Sequence, residues 1–131
     1  MEHLLHWQLL AFQNESSTIS EALETTEPKE DKRLRCLDCR TAVTAEKYRI
    51  AVSGSHGHRF FNPSGILFHI GFFAETTNLQ NASPPSGEFT WFPGTQWQVS
   101  ICATCTKHLG WFFQTHGGGH FWGLVLNRLT G

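Results

Sequence analysis

The chain has 131 residues, 40% hydrophobic and 16% charged, which is enough apolar material for one folded core and too much for wholesale disorder. Its net charge of −1 supplies no field to hold a phosphate backbone, and no apolar run approaches the roughly 18 residues of a membrane span, so nucleic acid and membrane partners are set aside. Eleven Phe and five Trp stand against a single Tyr.

Charge is segregated along the chain. Residues 1–30 hold six Glu against Lys29 alone, net −5, whereas residues 31–131 hold nine Lys or Arg against five acids, net +4. Near the N-terminus Leu4, Leu5, Trp7, Leu9, Leu10 and Phe12 are apolar, but Glu2 stands where a signal peptide needs a basic lead, and Asn14-Glu15 follows where a cleavage site belongs. The segment reads as retained, which predicts a reducing, cytoplasmic setting. Leu5, Leu9 and Phe12 at i, i+4 and i+7 predict a helix of three turns, too short to persist alone in water. Such a helix must dock on its own domain or on a second copy, with self-association through residues 3–13 as the second route. Residues 14–31 turn to Ser, Thr and Glu with Pro28, the composition of a linker. The predicted division is an extension over 1–31 and a monomeric domain core over 32–131.

From Leu34 onward the hydrophobic period becomes two. Tyr48, Ile50 and Val52 alternate with polar or small residues, and so do Trp97, Val99 and Ile101. Phe60-Phe61, Ile66–Phe73, Trp111–Phe113 and Phe121–Leu126 are short apolar runs bounded by Ser53-Gly54, Asn62-Pro63-Ser64-Gly65, Pro93-Gly94 and Gly117-Gly118-Gly119. Short strands with such frequent turns predict an all-β domain. Thr76–Glu88, with Pro84, Pro85 and Gly87, reads as a long polar loop, and Leu109-Gly110 as a short turn.

Cys36-Leu37-Asp38-Cys39 and Cys102-Ala103-Thr104-Cys105 are two C-x2-C knuckles that use every cysteine in the chain. Four thiolates at this spacing suit one tetrahedral, closed Zn2+ with a structural role. The 62 intervening residues mean that the ion would join distant parts of a β domain rather than organise a compact finger. Two disulfides would need an oxidising compartment, and a thioredoxin-type redox pair would need a βαβ context. His108, three residues past Cys105, is placed by the same pattern as a packing or supporting residue rather than a fifth ligand. No arrangement of Ser, His and Asp suggests a catalytic site.

Trp91, Trp97 and Trp111 flank the second knuckle, either as core residues or as walls of a binding box. Taken in order, Cys36-x2-Cys39, Phe61-Asn62-Pro63-Ser64-Gly65, Trp91-Phe92-Pro93-Gly94-Thr95-Gln96-Trp97, Cys102-x2-Cys105-x2-His108-Leu109-Gly110-Trp111-x-Phe113 and Phe121-Trp122-Gly123-Leu124 resemble the thalidomide-binding (CULT) domain family of cereblon. The resemblance covers about residues 33–127 and points to a single-domain, bacterial-type member. It implies a β-tent of two antiparallel sheets pinned near one four-cysteine zinc. It also implies a cage of Trp91, Trp97 and Trp111 with Phe113 as floor, Asn62 and Pro63 on a neighbouring loop, and backbone groups of Phe89 and Trp91 for the ligand. The implied ligands are glutarimide rings, thalidomide-like compounds and peptides ending in a cyclic imide. Uracil, which carries the same donor–acceptor edge, extends that class. Family members often carry His where Phe89 stands, a change to be tolerated where only main-chain contacts are implied.

The resulting expectation is a binding module without turnover. One rival is a reader of methylated ammonium groups, which Glu88 beside the cage would favour. The other is an R-type methionine sulfoxide reductase, which shares the tent but needs a cysteine beyond the zinc four.

Overall fold

Among the described residues the alternating and continuous apolar runs fold into ten strands in two antiparallel sheets, the all-β architecture expected. The computed structural model describes residues 32–131; the predicted helix, linker and self-association segment within residues 1–31 lie outside the described residues. The strands are β1 (Arg33–Cys36), β2 (Ala42–Ala45), β3 (Arg49–Ile50), β4 (Gly57–Phe61), β5 (Leu67–Phe73), β6 (Leu79–Asn81), β7 (Thr95–Cys102), β8 (His108–Thr115), β9 (His120–Val125) and β10 (Leu129–Thr130). The small sheet has the order β10-β1-β2. The seven-stranded sheet runs β3-β5-β9-β8-β7-β6, with β4 also paired to β5. Among the described residues the helical turns are two short 3₁₀ turns, and no helix is long and apolar enough to cross a membrane.

β5 and β9 lie inside the large sheet and are apolar on both faces. Strand alternation sends Ile70 and Phe72 to one side, where they meet Phe113, Phe121 and Trp111. Phe73 goes to the other side and packs with Leu124 and with Leu34 of the small sheet. A third cluster gathers Cys36, Val43, Cys102 and Leu109. The small sheet thus packs on one face of the large one, which leaves the opposite face for loops to cover.

Three elements differ from the sequence reading. Thr76–Glu88 contains β6, whose Leu79 pairs with Cys102 of β7. A three-residue edge strand with one buried flank leaves almost no periodic signal. Leu109-Gly110 belongs to β8 and is no turn. A Cβ on Gly110 would stand 2.0 Å from the Gly123 carbonyl oxygen, so the glycine permits close approach of β9. Tyr48 ends a 3₁₀ turn, and only Arg49 and Ile50 of the predicted 48–52 strand form β3.

His56 sits in the segment between β3 and β4. Its Nδ1 donates to the Ile50 carbonyl at 3.0 Å, while Nε2 is buried with no hydrogen-bond partner. Removal from water holds this imidazole below its ordinary pKa, against the Ile50 hydrogen bond, with Arg49 adding to the depression and Glu46 opposing it. An unfolded chain therefore binds a proton at His56 that the native chain refuses, and native stability falls as pH drops below about 6.5. His56→Asn, which keeps a donor for Ile50 and does not titrate, is expected to lessen the fall in urea-derived unfolding free energy between pH 7.5 and 5.5, with a remainder from His108, which burial also holds low. The slope it removes is at most about 1.4 kcal/mol per pH unit, the limit for one proton. An unchanged slope in the variant would show that His56 is not the titrating group.

Candidate functional site

Each C-x2-C knuckle is a hairpin turn with the same internal hydrogen bonds. At the β1–β2 turn the Cys36 N–H donates to the Thr41 carbonyl and the Arg40 N–H to the Cys36 carbonyl, both at 2.9 Å. At the β7–β8 turn the Cys102 N–H donates to Lys107 and the Thr106 N–H to Cys102, again both at 2.9 Å. Arg40 and Thr106, each just past the second cysteine, both take φ of 65°, which curls the turn so that its two sulfurs face one point. The turns meet head to head. Cys36 Sγ is 3.6 Å from Cys105 Sγ, and Cys39 Sγ is 3.5 Å from Cys102 Sγ. All four ligand atoms lie within 4.8 Å of one another, and none of the cysteines is disulfide-bonded. Thr41 Oγ1 donates to Thr104 Oγ1 at 2.9 Å, and Lys107 pairs with Asp38 at 3.2 Å, so the two turns are also tied around the cluster.

This donor set could hold a metal ion. Zinc–thiolate bonds of about 2.3 Å give a tetrahedron with edges of about 3.8 Å, close to the sulfur separations found. Side-chain and main-chain hydrogen bonds from Thr41 draw the Cys39 thiol down to about 6. At Cys105 the Lys107 main-chain hydrogen bond also pulls downward. Desolvation and the neighbouring Cys36, Cys39 and Cys102 outweigh it and push the thiol up to about 12. Four sulfurs cannot all shed their protons beside one another without a cation between them. His108 stands outside the sulfur cluster. Its Nε2 meets the Gly110 carbonyl at 2.9 Å and its ring packs edge-on against Trp111 at 4.8 Å.

The second feature is a cavity of about 410 Å³ lined by Asn62, Pro63, Ser86, Glu88, Phe89, Trp91, Trp97, Val99, Trp111 and Phe113. All seven residues predicted to bind ligand are in that lining. Its wall is set by register: Trp97 of β7 is directly opposite Phe113 of β8, and Val99 is opposite Trp111, so the four side chains share one face. Behind them, a Cβ on Gly123 would come within 3.1 Å of the Phe113 ring, so this glycine leaves the ring its place.

Trp91 is carried by the segment between β6 and β7. The Thr95 N–H donates to the Phe92 carbonyl at 3.1 Å across Pro93 and Gly94, whose φ is 81°: a turn with Pro second and Gly third. Phe92 anchors this turn, edge-on to Phe60, Phe72, Phe113 and Phe121 at 5.4–5.7 Å. Trp91, one residue earlier, stacks on Phe60 at 4.5 Å and meets Trp111 edge-on at 5.0 Å. Its Nε1 donates to the Phe61 carbonyl at 3.2 Å, and that of Trp97 to the Glu88 carbonyl at 2.7 Å. Asn62 Oδ1 accepts from the Ile66 N–H at 2.9 Å, which shapes the β4–β5 tip. The main-chain N–H and C=O groups of Phe89 and Trp91 form no hydrogen bond among the described residues. Phe89 itself takes φ of 55° and is 72% exposed.

The three tryptophans differ in burial. Trp111 is 9% exposed and belongs to the main core, whereas Trp91 and Trp97 are half-buried at its edge. Phe92 was not singled out from sequence as a site residue, although a Pro-Gly turn directly after it marks a place that needs an anchor. Val99 lay within reach of the period-two rule applied to Trp97.

The fold and site define an all-β domain with a four-cysteine cluster at one end of a hairpin and an aromatic pocket on that hairpin's face. No family model matches the chain. It is similar to cereblon from Gallus gallus, at 28% identity over 99 residues, covering 72% of this chain and 22% of the relative. It is similar to cereblon from Danio rerio at 29% over 102 residues (73% and 24%), and to that from Drosophila virilis at 28% over 109 residues (80% and 17%). The chain thus spans about a fifth of the length of these curated relatives. These similarities support a cereblon-like family.

The cluster carries a direct prediction. Binding free energies of structural zinc in small peptides, about 10 kcal/mol or more, rival the whole stability of a domain. Elemental analysis should find close to one zinc per chain, and chelation or Cys102→Ser should abolish the near-UV signal of the packed aromatics. A native near-UV spectrum with an unchanged melting temperature after metal removal would overturn the structural role.

Proposed function

We propose that this chain is a non-catalytic CULT-type binding module whose aromatic pocket takes a small cyclic imide. The ligand class is a glutarimide ring, free, in thalidomide-like compounds, or at the C-terminus of a peptide, with uracil-type rings as chemical relatives. One observation carries the reading. Trp91, Trp97, Trp111 and Phe113, drawn from three chain segments, line one cavity together with Asn62, Pro63 and Phe89. In this reading Cys36, Cys39, Cys102 and Cys105 hold one structural Zn2+.

An imide edge presents C=O, N–H and C=O in one plane. The unpaired main-chain groups at Phe89 and Trp91 offer complementary donors and acceptors beside the cavity, and aromatic walls that exclude water strengthen such bonds. Flat, rigid indoles add contact area at small entropic cost. The lining contains no Lys, Arg or His, and its one ionisable side chain is the acid Glu88. A ring-opened imide bears a carboxylate that would have to shed water among aromatic walls and has lost the planar edge, so desolvation and shape turn it away. The reductase alternative is disfavoured because all four cysteines of the chain are committed to one cluster.

Glu88 favours a second reading, a cage for methylated ammonium. Titration of intrinsic Trp emission separates the two. Glutarimide should quench it, its ring-opened acid should not, and Trp97→Ala should weaken imide binding at least tenfold with the fold retained. Quenching by trimethyl-lysine in the absence of any response to glutarimide would exchange the first reading for the second.

A further inference from the structure

Phe89 is the most exposed of the large apolar side chains of the described residues, at 72%. It also holds φ of 55°, a region that bulky L residues avoid. Its neighbours impose that conformation. On one side the Glu88 N–H donates to Ser86 Oγ and the Glu88 carbonyl accepts from Trp97 Nε1; on the other, Trp91 is fixed by its stacking on Phe60 and its bond to Phe61. Of the two residues between these tethers, Thr90 is held by side-chain hydrogen bonds to Phe92 and Thr95, and Phe89, a lining residue of the cavity, is left with its side chain uncovered by the protein. Strain and apolar exposure in one residue at a pocket wall are what a contact made only with ligand present would leave behind.

The cavity has room for such a contact. Its volume of about 410 Å³ lies in the range of drug-sized ligands and exceeds the needs of one six-membered ring. The lining also includes Pro63 at the β4–β5 tip, and Phe61 and Ile66 of the same hairpin are exposed at 64% and 54%. Exposed apolar side chains therefore stand near the cavity on two chain segments.

Building on the imide reading, we infer that the Phe89 side chain is a specificity determinant that selects imides bearing an apolar or aromatic substituent. For a peptide ligand this is a large apolar residue directly before the terminal cyclic imide. The role differs from that of the Phe89 main chain, which addresses the ring itself.

Affinities of 3-acetamido- and 3-benzamidoglutarimide, which share the polar link and differ in the aromatic ring, test the inference. The native chain should prefer the benzamido compound by roughly fivefold, the gain from partial burial of two apolar rings. Phe89→Asn, whose side chain tolerates positive φ, should bring the ratio close to one, and Phe89→Tyr should keep it; melting temperatures verify that both variants fold. Equal affinities in the native chain, or a preference that survives in Phe89→Asn, would overturn the inference while leaving the imide reading in place. No binding of either compound to the native chain would overturn both.

Discussion

The structure depends on the meeting of two hairpin turns at four sulfur atoms. One turn ends the first strand of the small sheet, and the other joins the two longest strands of the large one. Because the sulfurs of partner turns approach crosswise, Cys36 to Cys105 and Cys39 to Cys102, neither turn can rotate without separating both pairs. The joint fixes the β7–β8 hairpin, and that hairpin supplies Trp97, Val99, Trp111 and Phe113 to the pocket wall. A cysteine cluster that could hold a metal ion thus also sets the frame of a pocket it does not line. His108 adds a second link, since it follows the knuckle and packs directly against Trp111.

The pocket combines this rigid wall with less constrained parts. Trp91 hangs from a tight turn whose one deep anchor is Phe92, and the far lip is the tip of β4–β5 at the sheet margin. The β4–β5 hairpin is joined to the wall through the β5–β9–β8 ladders, and the Trp91 turn meets both through rings and single hydrogen bonds. Small shifts of either lip therefore leave the wall intact, whereas loss of the Phe92 anchor would release Trp91 together with the unpaired main-chain groups beside it.

Much of this was legible in the residues. The cysteine spacing identified all four members of the cluster, and period two identified β7 together with the face that carries Trp97. What failed has physical causes. Gly110 looked like punctuation because glycine in turns and glycine under a crossing backbone look alike; only the approach of Gly123 distinguishes them. β6 escaped notice because pairing on one edge requires no hydrophobic pattern. The conformation of Phe89 had no sequence signature at all: it is imposed by hydrogen bonds of Glu88 and Trp97, which meet only after the strands have paired.

For the proposed function, an apolar lining with a single ionisable side chain argues for recognition by geometry rather than charge. Glu88 is exposed, and a lone carboxylate in water adds little attraction for a cation and little repulsion for an anion. A cation entering the cage must shed water in exchange for ring faces and one screened charge. A neutral ring with a fixed donor–acceptor edge loses less on desolvation and recovers it from main-chain groups whose positions are set by covalent geometry. Those groups remain unpaired because the left-handed turn at Phe89 takes them out of any ladder. The same backbone strain that exposes the phenyl ring therefore keeps the adjacent N–H and C=O groups available, so that in the proposed reading ring recognition and substituent recognition would both follow from one conformation.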